Sequence, residues 1–133
     1  MQKVEHIGIA VSSLAASNEL YRSLLGKGPY KVEEVASEGV MTSFFQVGES
    51  KIELLEGLNP EGTIQKFIQK KGEGIHHIAF LVDDIRAEMQ RLSAEGFILL
   101  NPEPKQGADN KIVCFLHPKS TNGVLIELCQ EII

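Results

Sequence analysis

Two kinds of hydrophobic pattern alternate along this chain, and the alternation occurs twice. His6-Ile7-Gly8-Ile9-Ala10-Val11 sets a bulky apolar residue at every second position, the period of a strand with one covered face. Leu14, Tyr21, Leu24 and Leu25 then recur at spacings of three, four and seven before Gly26, predicting a helix with one buried stripe and a left-handed glycine cap. A weaker strand is expected near 30–36, followed by strands over 40–47 and 51–56 around the turn Gly48-Glu49-Ser50. The second half repeats the order. His77-Ile78-Ala79-Phe80-Leu81-Val82 opens it, Ile85, Met89 and Leu92 mark a helix before Gly96, and a weak strand near 97–100 precedes strands over 112–116 and 124–129, with the loop 117–123 between these two. The connector 60–74 reads as a short helix carrying Ile64, Phe67 and Ile68, then a glycine-rich loop.

Each half therefore reads β-α-β-β-β. Internal repetition of this kind organises everything else. A module with one sheet and one helix leaves a sheet face bare. Two modules side by side are expected to join their sheets into an open, barrel-like cleft with the helices outside, an α+β architecture. Such clefts commonly hold ligands. The 133 residues are expected to form a single domain, 1–133, with module one over about 3–58, a connector over about 59–73 and module two over about 74–131.

Alternation also sorts the strand side chains. Ile7, Ile9 and Val11, like Ile78, Phe80 and Val82, suit the face under a helix. His6, Gly8 and Ala10 share the other face, matched by His77, Ala79 and Leu81. In each half one histidine heads a row of mainly small residues, which leaves room beside it. In the closing strands, Glu53 shares a face with Leu55, and Glu127 with Leu125 and Cys129. An ionised carboxylate among apolar side chains is costly unless paired or bound to a metal. A lone strand histidine is ordinarily a hydrogen-bonded structural residue, and a lone strand glutamate ordinarily an exposed one. Recurrence of His…Glu at near-equal spacing in both halves overturns that. His6, Glu53, His77 and Glu127 form a mixed nitrogen/oxygen set suited to Zn, Co, Ni, Mn or Fe(II). His76 points to the opposite face, as a structural or supporting residue, and His117 lies in a loop that suits a substrate contact better than a ligand.

Composition adds exclusions. Hydrophobic residues make up 43% and charged residues 23%, ordinary for a globular chain. A net charge of -5 argues against nucleic acid, which demands a clustered basic surface. Lys66, Lys70 and Lys71 are the local exception and read as a solvated helix end. No apolar run approaches the ~20 residues of a membrane span, and the N-terminus carries no signal-peptide core, so a soluble cytoplasmic protein is expected. Cys114 and Cys129 lack metal-type spacing and are expected to be reduced core residues.

The duplicated pattern with His, Glu, His and Glu resembles the vicinal oxygen chelate superfamily, to which glyoxalase I belongs. Four segments closely resemble the methylmalonyl-CoA epimerase family: Gly74-Ile75-His76-His77-Ile78-Ala79-Phe80, Val82-Asp83-Asp84-Ile85, Phe115-Leu116-His117-Pro118-Lys119-Ser120 and Gly123-Val124-Leu125-Ile126-Glu127-Leu128. The resemblance implies the glyoxalase/bleomycin-resistance-like fold and one divalent ion (Co, Zn, Ni or Mn) on His6, His77, Glu127 and, as fourth ligand, Glu53. It implies epimerisation of methylmalonyl-CoA at C2, (2R) to (2S), by proton removal and return through a metal-stabilised enolate. Glu127 matches a residue with a base role; the second base is Glu53 or Glu38, because Thr42 stands where some relatives carry glutamate. Lys119, Ser120 and Thr42 are candidate substrate contacts, the partner is a small acyl-CoA rather than nucleic acid or membrane, and a homodimer is implied. Three rivals stand beside this reading: glyoxalase I (lactoylglutathione lyase), whose bacterial members can share the ligand set; an Fe(II) ring-cleaving dioxygenase, disfavoured by the extra Glu53; and a metal-free ligand-sequestering member.

Overall fold

The computed structural model describes residues 1–132. They form two compact units, one spanning His6–His76 and the other combining Met1–Glu5 with His77 onward. The first unit carries β1 (Lys3–Ala10, from His6), α1 (Leu14–Leu25), β2 (Lys31–Val35), β3 (Val40–Val47), β4 (Ser50–Gly57) and α2 (Thr63–Lys71). Its sheet runs β2-β3-β4-β1, antiparallel except that β1 lies parallel to β4. Parallel pairing is possible because α1 supplies the crossover that returns the chain.

The helix-side face buries Phe45 and Leu54 against Val11 and Leu14, with Ile9, Tyr21, Leu25, Met41 and Ile52 packed around them. The Ser13 hydroxyl caps α1 by accepting the Ala16 amide at 3.2 Å. The Glu56 carboxylate, from the helix-side face of β4, accepts the Leu14 amide, which fixes the helix start to the sheet. At the other end Gly26 adopts φ 82 and donates to the Arg22 carbonyl, as its left-handed cap requires. Leu24 departs from expectation. It is 70% exposed, because it lies about 100° around the helix from Leu25, off the stripe that Leu14, Tyr21 and Leu25 share.

The second unit holds β5 (Gly74–Leu81, from His77), α3 (Ile85–Ala94), β6 (Lys105–Gln106), β7 (Lys111–Leu116) and β8 (Ile126–Glu131). Its order is β5-β8-β7-β6, with β5 parallel to β8 and the rest antiparallel. Val82, Ile85, Met89 and Leu92 pack on Cys114, Leu116 and Leu128, the helix stripe expected from sequence. Asp84 caps α3 through the Ala87 amide at 3.1 Å, and Gln130 accepts the Ile85 amide at 2.7 Å. Gln130 does for α3 what Glu56 does for α1. Both halves are βαβββ.

Two strand boundaries differ from expectation. Residues 97–100 contribute only a single bridge, Leu99 to Leu116, and the edge strand is Lys105–Gln106. Pro102 and Pro104 lack the amides that continued pairing would need, so the chain rejoins the ladder only after them. β8 begins at Ile126 rather than 124, because the Val124 amide is taken by the Thr121 carbonyl at 3.1 Å. Met1–Glu5 is tied to this unit by the Gln2 amide on the Leu81 carbonyl, 2.8 Å, and by a buried ion pair, Lys111 Nζ to Glu5 Oε2, 3.8 Å. Cys114 and Cys129 are buried free thiols, as expected. No helix among the described residues is long and apolar enough to cross a membrane.

Candidate active site

In the first unit, strand register gathers the site on the face away from α1. Gly8 aligns with Glu53 and Ala10 with Leu55 across the β1–β4 ladder. Partners in register share a face, so His6, Gly8 and Ala10 line up with Glu53 and Leu55. β3 adds Phe44 opposite Glu53 and Thr42 opposite Leu55. Gly8 and Ala10 add little bulk to this face, and His6 Nδ1 comes within 3.0 Å of Glu53 Oε2. Glu53 is only 3% exposed, although it sits mid-strand between apolar neighbours. On the edge strand, Lys31 Nζ stands 5.0 Å from the centre of the Phe44 ring and 3.5 Å from Glu33.

The second unit builds the same arrangement. Ala79 aligns with Glu127 across β5–β8, and Phe115 stands opposite Glu127 across β7–β8. His77 Nε2 lies 3.1 Å from Glu127 Oε1, and Glu127 is 7% exposed. The Phe115 ring meets the His77 ring edge-on, centres 6.0 Å apart, and Lys105 Nζ stands 5.7 Å from the Phe115 centre. Beneath them Ala79, Val113 and Cys129 form an apolar floor with Leu81. A buried carboxylate beside a buried imidazole, walled by an aromatic ring, thus occurs once in each unit.

The donor set of each pair suits a divalent ion. Imidazole nitrogen with carboxylate oxygen is the mixture that borderline cations take. Two donors each about 2.1 Å from one ion lie about 3 Å apart when they subtend a right angle, which is the separation both pairs have. Burial adds to the fit, since a carboxylate withdrawn from water needs a compensating positive charge.

The remaining sequence candidates have these places. Thr42 lies on the His6–Glu53 face, one ladder position beyond Phe44. Lys119 is exposed in a 3-10 turn, Pro118–Ser120, capped by His117, whose Nδ1 accepts the Lys119 amide at 2.9 Å. The Ser120 hydroxyl donates to the His117 carbonyl at 2.9 Å and accepts the Ile98 amide at 3.2 Å, so it braces the loop. Glu38 ends the 3-10 turn before β3. His76 packs edge-on against Phe67 of α2, centres 5.0 Å apart, a structural contact. Sequence reading missed Phe44 and Phe115 as walls of the two pairs, and Lys31 and Lys105 above them. The signal was present only through hairpin register, which places each phenylalanine opposite its glutamate.

The family model for the Glyoxalase/Bleomycin resistance protein/Dioxygenase superfamily matches residues 5–115. An ethylmalonyl-CoA/methylmalonyl-CoA epimerase of Cereibacter sphaeroides is 41% identical, covering 96% of this chain and 97% of the relative. A mitochondrial methylmalonyl-CoA epimerase of Dictyostelium discoideum is also 41% identical, over 97% of this chain and 78% of its own. Among solved structures, a variant of Streptomyces coelicolor methylmalonyl-CoA epimerase in complex with 2-nitronate-propionyl-CoA matches with a TM-score of 0.94 at 34% identity, covering 98% of this chain and 95% of that one. Family model, relatives and fold agree with one another: the chain belongs to the Glyoxalase/Bleomycin resistance protein/Dioxygenase superfamily and, within it, to the methylmalonyl-CoA epimerase family of isomerases.

Proposed function

We propose that this enzyme interconverts the (2R) and (2S) forms of methylmalonyl-CoA, with His6, Glu53, His77 and Glu127 together holding one divalent cation, Co, Zn, Ni or Mn. The observation that carries the reading is the repeated buried pair, imidazole to carboxylate at 3.0 Å in one unit and 3.1 Å in the other. The names of the relatives support the substrate.

The chemistry sets the requirements. A hydrogen between a thioester and a carboxylate is too weakly acidic for a side-chain base alone near neutral pH. A divalent cation, when bound, supplies Lewis-acid stabilisation of negative charge developing on a carbonyl oxygen. Inversion needs a proton removed from one face of C2 and another delivered to the opposite face. Glu127 takes the base role, its carboxylate held beside His77 Nε2 at 3.1 Å on the face that carries the apolar floor of Ala79, Val113 and Cys129. Glu53, held the same way by His6, or Glu38 in the turn before β3, serves the other face. Lys119 is free of loop-building duty at its side chain and suits a carboxylate or phosphate of the acyl-CoA. The same reading takes the protein as a cytoplasmic homodimer.

Incubation with methylmalonyl-CoA in heavy water, followed by mass spectrometry, should show deuterium entering C2, and EDTA should stop it. Glu127→Gln should abolish the exchange. Metal-loaded protein that leaves C2 undeuterated overturns the assignment. The same preparations offered the glutathione hemithioacetal of methylglyoxal should give no product; efficient turnover there would instead favour lactoylglutathione lyase.

A further inference from the structure

Two adjacent hydroxyls on β3, Thr42 and Ser43, are fully buried, and neither oxygen has a hydrogen-bond partner. A hydroxyl withdrawn from water without a partner destabilises the fold. Valine has the same shape as threonine, is at least as good a strand former, and would remove that cost. A hydroxyl buried at position 42 therefore calls for a use that the resting protein does not display.

Strand alternation separates the two residues. Ser43, opposite Leu54, points to the helix side with Phe45 and Met41. Thr42 points to the site face, opposite Leu55 on β4 and Glu33 on β2, with Val40 and Phe44 on either side of it along the strand. Val40, Phe44 and Leu55 are buried and apolar, so they offer the hydroxyl nothing. Glu33, half-buried on the edge strand, is the movable member of this group. A ligand oxygen that reached Thr42 would meet a desolvated donor with no competing acceptor, the condition in which a hydrogen bond discriminates most.

We propose that Thr42 is a substrate-positioning residue whose hydroxyl donates a hydrogen bond to the free carboxylate of the acyl substrate. The inference rests on the epimerase reading above. A carboxylate is the strongest acceptor the substrate carries, and it is what separates a malonyl-type thioester from a simple acyl thioester. Thr42 thereby contributes to choosing the substrate class without itself exchanging a proton.

The test compares Thr42→Val, Thr42→Ser and Ser43→Ala with the unmodified enzyme, using methylmalonyl-CoA turnover and competitive binding of propionyl-CoA, which lacks the carboxylate. Thr42→Val should melt at or above the wild-type temperature. Its KM for methylmalonyl-CoA should rise about 10- to 100-fold with kcat little changed, the loss of one hydrogen bond to a charged group. Its affinity for propionyl-CoA should not change, and Thr42→Ser should behave like wild type. Ser43→Ala should raise the melting temperature without altering kinetics. Wild-type KM in Thr42→Val, or equal weakening toward both thioesters, overturns the proposal. A clearly lower melting temperature for Thr42→Val shows that the hydroxyl was satisfied and overturns it too. Wild-type enzyme that fails to turn over methylmalonyl-CoA removes the epimerase reading and this inference together, whereas an active wild type with an indifferent Thr42→Val removes this inference alone.

Discussion

Replacing Lys111 with methionine examines how β1 is held just ahead of His6. Lys111 and Glu5 have side chains 7% and 3% exposed and face each other at 3.8 Å; Asp109 lies at the same distance from Lys111 Nζ. At that separation, with an effective dielectric of about 20, one such attraction amounts to about 4 kcal/mol. Measured costs of removing one partner of a buried pair run at about 3–5 kcal/mol, because the other charge stays buried without it. That is roughly a third or more of a typical domain stability of about 5–15 kcal/mol. For a chain of this size that corresponds to a melting temperature lower by about 10–20 °C. Glu5→Gln should cost less, since Lys111 keeps the Asp109 carboxylate and still donates to the Asp109 carbonyl at 3.2 Å. The double variant Glu5→Gln/Lys111→Met should be more stable than the sum of the singles predicts, by about 1–3 kcal/mol. Urea titration followed by circular dichroism measures all four proteins. A Lys111→Met variant within about 1 kcal/mol of wild type would show the pair to be solvated like a surface ion pair rather than buried.

Leu92→Ala, which empties a position in the α3 core, should cost about 2–5 kcal/mol, while Leu24→Ala on the exposed side of α1 should stay within about 0.5 kcal/mol; comparable losses in both would mean the α1 stripe has been misassigned. Burial pushes the Cys114 thiol up, against a smaller opposing effect of hydrogen bonding with the Asn101 backbone. The folded protein then holds the thiol proton that the unfolded chain would release, so this contribution to stability is intact below the unfolded thiol pKa of about 8.5 and is lost as pH rises past it. Urea midpoints measured from pH 7 to 10 should fall more steeply for wild type than for Cys114→Ala, and identical slopes would refute the assignment. Thiol reagents should label Cys114 only as fast as the fold opens.

Much of the site could be read from sequence because its signal was duplicated. His6 and His77 head equivalent strands, and Glu53 and Glu127 sit in equivalent closing strands, so alternation alone assigned all four to one kind of face, and the structure pairs them within each unit. The helix under each sheet was equally legible at Ile85, Met89 and Leu92, where spacing leaves one stripe. Leu24 was misread because a leucine at the edge of a stripe has the same spacing as one in its middle. The strand near 97–100 was displaced to Lys105–Gln106 by prolines whose effect depends on which neighbour the chain meets. Phe44 and Phe115 escaped notice for a different reason: standing opposite a glutamate is a property of ladder register between strands, not of either strand. The Glu5–Lys111 pair joins residues at opposite ends of the chain and leaves no periodic trace.

Metal content of the purified protein is the decisive check on the proposal that His6, Glu53, His77 and Glu127 hold one divalent cation. Wild-type protein should carry one divalent ion per chain, and His6→Ala in one unit or His77→Ala in the other should each release it, with C2 deuteration lost alongside. Two ions per chain, or a full complement retained when either histidine is removed, would rule out a single cation held by these four residues.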